Sequence, residues 1–305
     1  MARISLIIPT HNRAAMLTRA VESAKRAGTD LEIIVVDDAS NDETQSIFRD
    51  RKDIIYLRME HNVGQAHARN EGISRSTGEY LVFLDDDDLR LPGSLDTQAE
   101  ILDNDKNLGF VYGQVLIADP QSLPTGVIKP SDCPTGDIFW DLLRDNFIYI
   151  ASVMVRKQHM EAIGRFSSDV LGTEDWDAWL RLAAICKVGA VQEPVAIYRS
   201  FSRQTGQTSA NRPRMCKAGV RTQENALRLP RALTKDWETR RELKSNYRDS
   251  VWDNLVREGH RSLSQRNLYY AALNYITAIR LHPRRAARLG AMSSFTRSIF
   301  SRLRD

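Results

Sequence analysis

The sequence predicts an α/β fold: a mostly parallel sheet flanked by helices, followed by an α-helical C-terminal extension. Two observations carry the α/β part. Over the first hundred residues, short apolar runs alternate with stretches of helical spacing, the rhythm of strand–helix units whose sheet is covered on both faces. The apolar runs also stop abruptly at polar clusters. A third observation carries the extension: beyond residue 212 the pattern is wholly helical and the charge changes sign.

Taken in order, Ile4-Ser5-Leu6-Ile7-Ile8 is a buried strand, and Ala14 to Ala27 carries Leu17, Ala20, Val21, Ala24 and Ala27 at helical spacing. Leu31 to Val36 is a second strand ending at Asp37-Asp38. Ser40-Asn41-Asp42-Glu43 has the Ser-x-x-Glu form of a capping box and predicts a helix start. Ile54 to Leu57 is the third strand, Gln65 to Ser74 a helix, and Tyr80 to Leu84 the fourth strand. Pro92 fits the first turn of a helix continuing through Leu95, Ala99 and Leu102. Strands and loops fill 106–135; Asp137 to Arg144, Arg156 to Ile163 and Glu174 to Cys186 read as helices, and 200–214 as a mobile loop. Two helices follow, through Leu243, Tyr247, Val251 and Leu255 and through Leu268 to Ile279, the second stopped by Pro283. The expected domains are 1–211, with a nucleotide-binding half (1–105) and an acceptor half (106–211), and a helical extension, 212–305.

The 305 residues are 42% hydrophobic and 27% charged, an ordinary globular composition that excludes collagen-like, low-complexity and small disulfide-scaffold classes. Cys133, Cys186 and Cys216 lack metal-clip spacing and read as reduced thiols. No apolar run approaches the ~18–20 residues of a membrane span. The run from Met1 to Pro9 is too short for a secretory signal, so the expected compartment is the cytoplasm. Residues 212–305 carry 21 basic and 8 acidic side chains, net +13, which leaves residues 1–211 at net −9 within a total of +4. An acidic body suggests a cation-dependent site, and a basic tail an anionic surface. The basic residues lack a nucleic-acid motif or interleaved aromatic clusters, so no nucleic-acid partner is expected. Leu289, Met292, Phe295, Ile299, Phe300 and Leu303 fall on one helical face among arginines, the pattern of an interfacial helix, so residues 284–305 are expected to meet an anionic membrane surface. Packing of that face on the protein's own body is the alternative.

In sheets of this kind ligands bind beyond the carboxyl ends of the strands. There lie Pro9-Thr10-His11-Asn12-Arg13, Asp37-Asp38 and Asp85-Asp86-Asp87-Asp88. Four consecutive carboxylates oppose each other's ionisation, a cost that a hard divalent cation relieves. Asp37 reads as structural and Asp38 as functional. Glu174-Asp175 opens a helix, where acids complement the dipole, so capping competes there with a functional role. Trp176 and Trp179 flank the pair as packing residues or a sugar platform; Trp237 and Trp252 read as helix packing, His61 and His67 as surface residues.

Together these motifs resemble family 2 glycosyltransferases of the GT-A type. The resemblance rests on Pro9-Thr10-His11-Asn12-Arg13, Val35-Val36-Asp37-Asp38-Ala39-Ser40, Asn62-Val63-Gly64, Ala68-Arg69-Asn70-Glu71-Gly72, Thr77-Gly78-Glu79-Tyr80, Phe83 to Asp88, Glu174-Asp175 with Trp179 and Arg181, and Tyr198-Arg199, in family order over residues 3–200. It implies an inverting transfer of a sugar from a nucleotide sugar, by family habit a UDP-sugar, to a hydroxyl acceptor on a glycan or lipid-linked glycan, in surface polysaccharide or lipid-linked glycan synthesis. It further implies that Pro9, Thr10, Asn12, Arg13, Asp38, Arg69, Asp85 and Asp86 serve the nucleotide sugar, that Asp87 binds Mg or Mn, that Asp175 is the general base, and that Glu174 and Trp176 serve the acceptor or support the base. Which of Asp85, Asp86 and Asp87 reach the metal stays open, because Asp86 occupies a slot often filled by a small residue. His11 stands where the family usually has an aromatic such as Tyr, and Phe201 where many members have His. The rival from another class is a non-catalytic glycan- or nucleotide-sugar-binding protein of the same fold.

Overall fold

The computed structural model describes residues 2–200 and 211–286. The chain divides into two compact units, one of residues 1–142, 146–169 and 174–205, the other of residues 143–145, 170–173 and 206–305.

The first unit opens with β1 (Ile4–Thr10), α1 (Ala14–Ala24), β2 (Leu31–Asp37), α2 (Thr44–Phe48), β3 (Ile55–Arg58), α3 (Gln65–Arg75) and β4 (Tyr80–Phe83). β5 (Leu89–Arg90), α4 (Ser94–Asn104), β6 (Leu108–Ala118) and β7 (Pro124–Lys129) follow. Then come α5 (Phe139–Arg144), β8 (Met154–Arg156), α6 (Lys157–Ala162), α7 (Glu174–Ala183) and β9 (Lys187–Arg199). One sheet runs in the order β3-β2-β1-β4-β8-β6-β9-β5, with β7 beside β6. β3, β2, β1 and β4 are mutually parallel, as are β6 and β9; β5, β7 and β8 run antiparallel to their partners. β1 and most of β2 are buried, which explains their continuous apolar runs. Leu6, Ile8, Leu17, Val21, Val35 and Val82 share one core cluster with Leu95 and Ala99 of α4. Because β2 lies on one side of β1 and β4 on the other, the carboxyl ends of β1 and β4 frame the crevice where such sheets bind ligands.

The second unit is helical: α8 (Arg212–Ala226), α9 (Pro230–Leu233), α10 (Trp237–Ser264), α11 (Leu268–Leu281) and α12 (Pro283–Ala286). Val220, Val251, Trp252, Leu255 and Ala278 form its core. Gly259 lies against the Tyr275 ring, where a Cβ would come within 2.7 Å of the ring, so the α10–α11 contact requires glycine. Among the described residues no helix is long and apolar enough to cross a membrane.

Several boundaries depart from expectation for physical reasons. The capping box at Ser40 does not form, because the Ser40 hydroxyl accepts the Asn12 N–H (2.9 Å) and its own N–H is held by Asp37 (2.8 Å). The N-cap of α2 is Glu43, and Asp42 before it accepts from Thr44 N at 3.0 Å and, with its other oxygen, from Ala14 N at 3.1 Å. Pro92 precedes its helix rather than opening it, because Gly93, with φ +71°, is the N-cap. Of the expected loop 200–214, residues 201–210 lie outside the described residues, and Arg212 onward is already helical under the Asn211 cap. Trp237 is not a packing residue: it is 61% exposed and Arg241 stacks over its ring at 5.1 Å. The apolar face expected over 289–303 lies outside the described residues.

α3 crosses β1 at Gly72, where a Cβ would sit 2.4 Å from Cγ2 of the fully buried Ile7. Alanine favours a helix interior by ~1 kcal/mol over glycine, but forcing a methyl into a closed core costs ~1–3 kcal/mol. Gly72→Ala is therefore expected to lower the urea midpoint, with a net loss of up to about 2 kcal/mol. A variant as stable as the parent would mean that α3 does not lie this close to β1.

Candidate active site

The ends of β1 and β2 interlock before any ligand is considered. Burial pushes the Asp37 carboxyl up, but bonds from Ser40, Tyr56 and Arg58 outweigh it and hold the group below its ordinary value. Asp37 is thus the structural carboxylate its position suggested. The neighbouring Asp38 accepts from Val63 N (2.7 Å) with one oxygen and Gly64 N (2.8 Å) with the other, fixing the 62–64 turn against β2. Gly64 has φ +88° and ψ 163°, a region essentially closed to side-chain-bearing residues, so this turn needs its glycine. His11 Nδ1 donates to the Asp38 carbonyl at 2.7 Å, and Asn12 Oδ1 accepts from Asn41 N at 2.6 Å. Asn12 and Ala39 both have positive φ, 54° and 59°. For alanine this costs ~1–2 kcal/mol, which the surrounding hydrogen bonds must offset. The loop 9–13 is therefore preorganised.

The four carboxylates after β4 separate into different roles. Asp86 is turned away from the others: it is buried, accepts from Thr10 Oγ1 (2.7 Å) and Arg13 Nη1 (3.0 Å), and so ties β4 to β1. Burial pushes its carboxyl up to about 6, against the pull of Arg13. Asp87 is bridged by Arg13 Nη1 (3.3 Å) and Arg199 Nη2 (2.5 Å). Asp88 accepts the backbone N–H of Arg199 at 2.9 Å, while its Oδ2 is buried without a hydrogen-bond partner. Burial, then Asp87 and Asp85, raise the Asp88 carboxyl well above its ordinary value. Oxygen atoms of Asp85, Asp87 and Asp88 lie within 4.8 Å of one another. A hard divalent cation takes such oxygen donors, and the orphaned Oδ2 of Asp88 is an unused one. Of the three carboxylates left open for the metal, Asp86 is engaged elsewhere, and Asp88 replaces it in the cluster.

Arg69 joins this cluster to α7. Its guanidinium, 2% exposed, donates to Asp85 Oδ1 at 2.6 Å and Glu174 Oε1 at 3.3 Å, and lies over the Phe166 ring at 5.5 Å. Glu174 is thus a positioning partner of Arg69. Asp175 follows at the start of the helix, with one oxygen accepting from Trp176 N at 2.7 Å. Close packing by protein and then the Glu174 charge push the Asp175 carboxyl up to about 7. A carboxylate tuned to that range is suited to exchange a proton near neutrality. Trp176, by contrast, is no sugar platform: it is 2% exposed and its indole N–H donates to the Leu142 carbonyl at 2.7 Å. Trp179 is fully buried as well. Pro9 lies inside buried β1, and His61 and His67 are exposed, as expected.

Two contributors were missed from sequence. Arg199 was visible only as part of Tyr198-Arg199, with no local sign that it would reach Asp87. Arg90 is fully buried without a carboxylate partner; its donors meet the Ala151 carbonyl and Gln98, and burial lowers it to about 9. Gln98 in turn donates to the Ser152 carbonyl at 2.7 Å. This network anchors β5, directly beyond Asp88.

The profile described as "Glycosyl transferase family 2" matches residues 5–158, the stretch that holds Thr10, Asp38, Arg69 and the Asp85–Asp88 cluster. The chain belongs to glycosyltransferase family 2. It is 28% identical over 183 residues to an uncharacterized glycosyltransferase of Haemophilus influenzae, covering 59% of this chain and 61% of that one. It is 29% identical over 225 residues to the GalNAc(5)-diNAcBac-PP-undecaprenol beta-1,3-glucosyltransferase of Campylobacter jejuni, covering 70% and 69%. The fold resembles the crystal structure of Staphylococcus aureus TarS 1–349 (TM-score 0.60, 15% identity, 94% of this chain and 93% of that one). It also resembles the Pyrobaculum calidifontis mannosyltransferase PcManGT in complex with GDP-Man and Mn2+ (TM-score 0.59, 19% identity, 99% and 80%). The mixed sheet flanked by helices is thus the GT-A fold of this family-2 glycosyltransferase.

Removing Arg69 would leave Asp85 and the buried Glu174 without their shared cation. Breaking a buried ion pair by deleting one partner costs ~3–5 kcal/mol. Arg69→Met is expected to lose about that much in urea denaturation, and Arg69→Lys less, since lysine keeps the charge without the fork that spans both acids. Equal stability of parent and Arg69→Met would contradict this arrangement.

Proposed function

We propose that this glycosyltransferase moves a sugar from a nucleotide sugar, a UDP-sugar before others, to a hydroxyl acceptor with inversion at the anomeric carbon. The observation that carries the reading is the Arg69 bridge, which holds the Asp85–Asp87–Asp88 cluster and a carboxyl tuned to about 7, Asp175, in one charge network. Residues 1–211 form the transferase domain, with 1–105 serving the nucleotide and 106–211 the acceptor, and 212–305 a helical extension.

Pro9, Thr10, Asn12, Arg13 and Asp38 receive the nucleotide in the preorganised loops at the ends of β1 and β2. Asp85, Asp87 and Asp88 hold Mg or Mn, which when bound supplies positive charge for the leaving diphosphate. Asp86 keeps Thr10 and Arg13 in position. Asp175 takes the proton of the acceptor hydroxyl, whose oxygen bonds to the anomeric carbon as the bond to the diphosphate oxygen breaks. Attack opposite the leaving group inverts that centre. Glu174 holds Arg69, and Trp176 packs the base of α7. A glycan or lipid-linked glycan is the proposed acceptor, in keeping with the lipid-linked substrate in the name of the Campylobacter relative. The setting is surface polysaccharide or lipid-linked glycan synthesis on the cytoplasmic side of a membrane. A non-catalytic binding protein would have no use for the raised Asp175 carboxyl, which carries an energetic cost at neutral pH.

Asp87→Ala is expected to abolish turnover while leaving the far-UV circular dichroism unchanged, and EDTA is expected to stop the parent enzyme. Turnover that survives either treatment would overturn the metal assignment.

A general base works only when deprotonated, so the rate is expected to rise as pH increases through about 7 and then level off. Asp175→Asn is expected to lose ~10²–10⁴-fold in rate and the rising limb with it, with nucleotide-sugar affinity nearly unchanged. An intact limb in Asp175→Asn, or weakened donor binding at full rate, would remove Asp175 from this role.

A further inference from the structure

α11 is apolar on two faces. Its sequence from Leu268 to Leu281 contains one charged residue, Arg280. One face, with Ala271, Tyr275 and Ala278, is buried. On the opposite side Tyr269, Ala272, Ile276 and Ile279 recur at spacings of three, four and three, with Leu268 beside them. Tyr269 is 77% exposed, Leu268 55%, Ile276 47% and Ile279 38%. A helix that is apolar all round normally has both faces covered.

The charge around the stripe identifies what covers it. From Gly259 to Ala286 the chain has five arginines and no Asp or Glu. Arg285 is spent on Asp249 and Asp253 of α10. Arg261 is 71% exposed and lies 3.8 Å from Glu258, whereas Arg266, Arg280 and Arg284 are exposed and make no ion pair among the described residues. An apolar stripe on a stretch whose Asp, Glu, Lys and Arg residues are all arginines, with an exposed tyrosine on it, has the composition of a helix lying in a membrane interface. Residues 287–305 carry four further arginines and only Asp305 as an acid, so they are a poor electrostatic match for this face. A second copy would set the same arginines against each other.

We infer that the exposed face of α11 docks on an anionic lipid surface, lying in the headgroup region with Tyr269, Ile276 and Ile279 inserted and the arginines at lipid phosphates. This places a membrane contact on α11, within the described residues. It rests on the proposed function only in taking a membrane as the place where the acceptor is met.

The test is co-sedimentation of the full chain with phosphatidylcholine vesicles, with and without phosphatidylglycerol. Binding is expected with the anionic vesicles, weakening as salt is raised and nearly absent on phosphatidylcholine alone. Ile276→Asp/Ile279→Asp is expected to lower vesicle binding about tenfold or more, with a modest fall in Tm because each side chain is still partly packed. Arg266→Gln/Arg280→Gln is expected to remove most of the anionic preference. Full vesicle binding by the aspartate variant would overturn the inference. So would a Tm several degrees lower with binding unchanged, which would mean the chain's own residues cover the face, or a dimer that the aspartate variant dissolves. Nucleoside diphosphate release from a nucleotide sugar, read on the same samples without vesicles, is expected at the parent level in both variants. Its absence in the parent would count against the proposed function and not against the docking face.

Discussion

A guanidinium buried to 2% exposure among acids is the constraint on which the rest of the first unit depends. Arg69 cannot lose its charge, and in a closed interior it cannot stay charged without partners. Asp85 supplies one from the end of β4 and Glu174 the other from the start of α7. α3 must therefore sit where its second turn can reach both, which Gly72 allows by letting the helix close on β1. The same placement leaves Asp175 beside Glu174 and closely packed by protein, which is why its carboxyl rises rather than falls.

The acidic run after β4 is tolerable because every carboxylate in it accepts from an arginine. Arg13, Arg69 and Arg199 reach Asp86, Asp85 and Asp87 from three separate elements. Only Asp88 keeps a buried oxygen without a hydrogen-bond partner. The carboxylate oxygens of Asp85, Asp87 and Asp88 are left within 4.8 Å of one another, and Asp86, bound to Thr10, is not among them.

What could be read from sequence follows the range of the interactions. The strands, their order of appearance and the polar clusters at their ends are local patterns, and Asp37 was recognisable as structural from its place. The sorting of Asp85 to Asp88 was not legible, because Arg199 lies 112 positions from Asp87, and Arg69 lies 105 from Glu174. Ser40 shows the same effect in reverse: a local capping signal lost to Asn12, 28 residues away, which claimed the hydroxyl first. Trp176 was ambiguous because a tryptophan beside an acid pair fits a core or a cleft equally well; its indole bond to Leu142 decides for the core. Ile276 and Ile279 fit the same helical pattern as the buried Tyr275, and only the fold reveals that their side of α11 is exposed.

Arg69 makes the carboxylate cluster and the start of α7 one energetic unit. A double-mutant cycle between Asp85→Asn and Glu174→Gln, read by urea denaturation, measures this directly, because Arg69 donates to both acids. The account predicts single losses that fail to add, with a coupling between 0.5 and 3 kcal/mol in magnitude, of the order of ~1 kcal/mol. Losses that add to within ~0.3 kcal/mol would show the two sites to be independent and would contradict it.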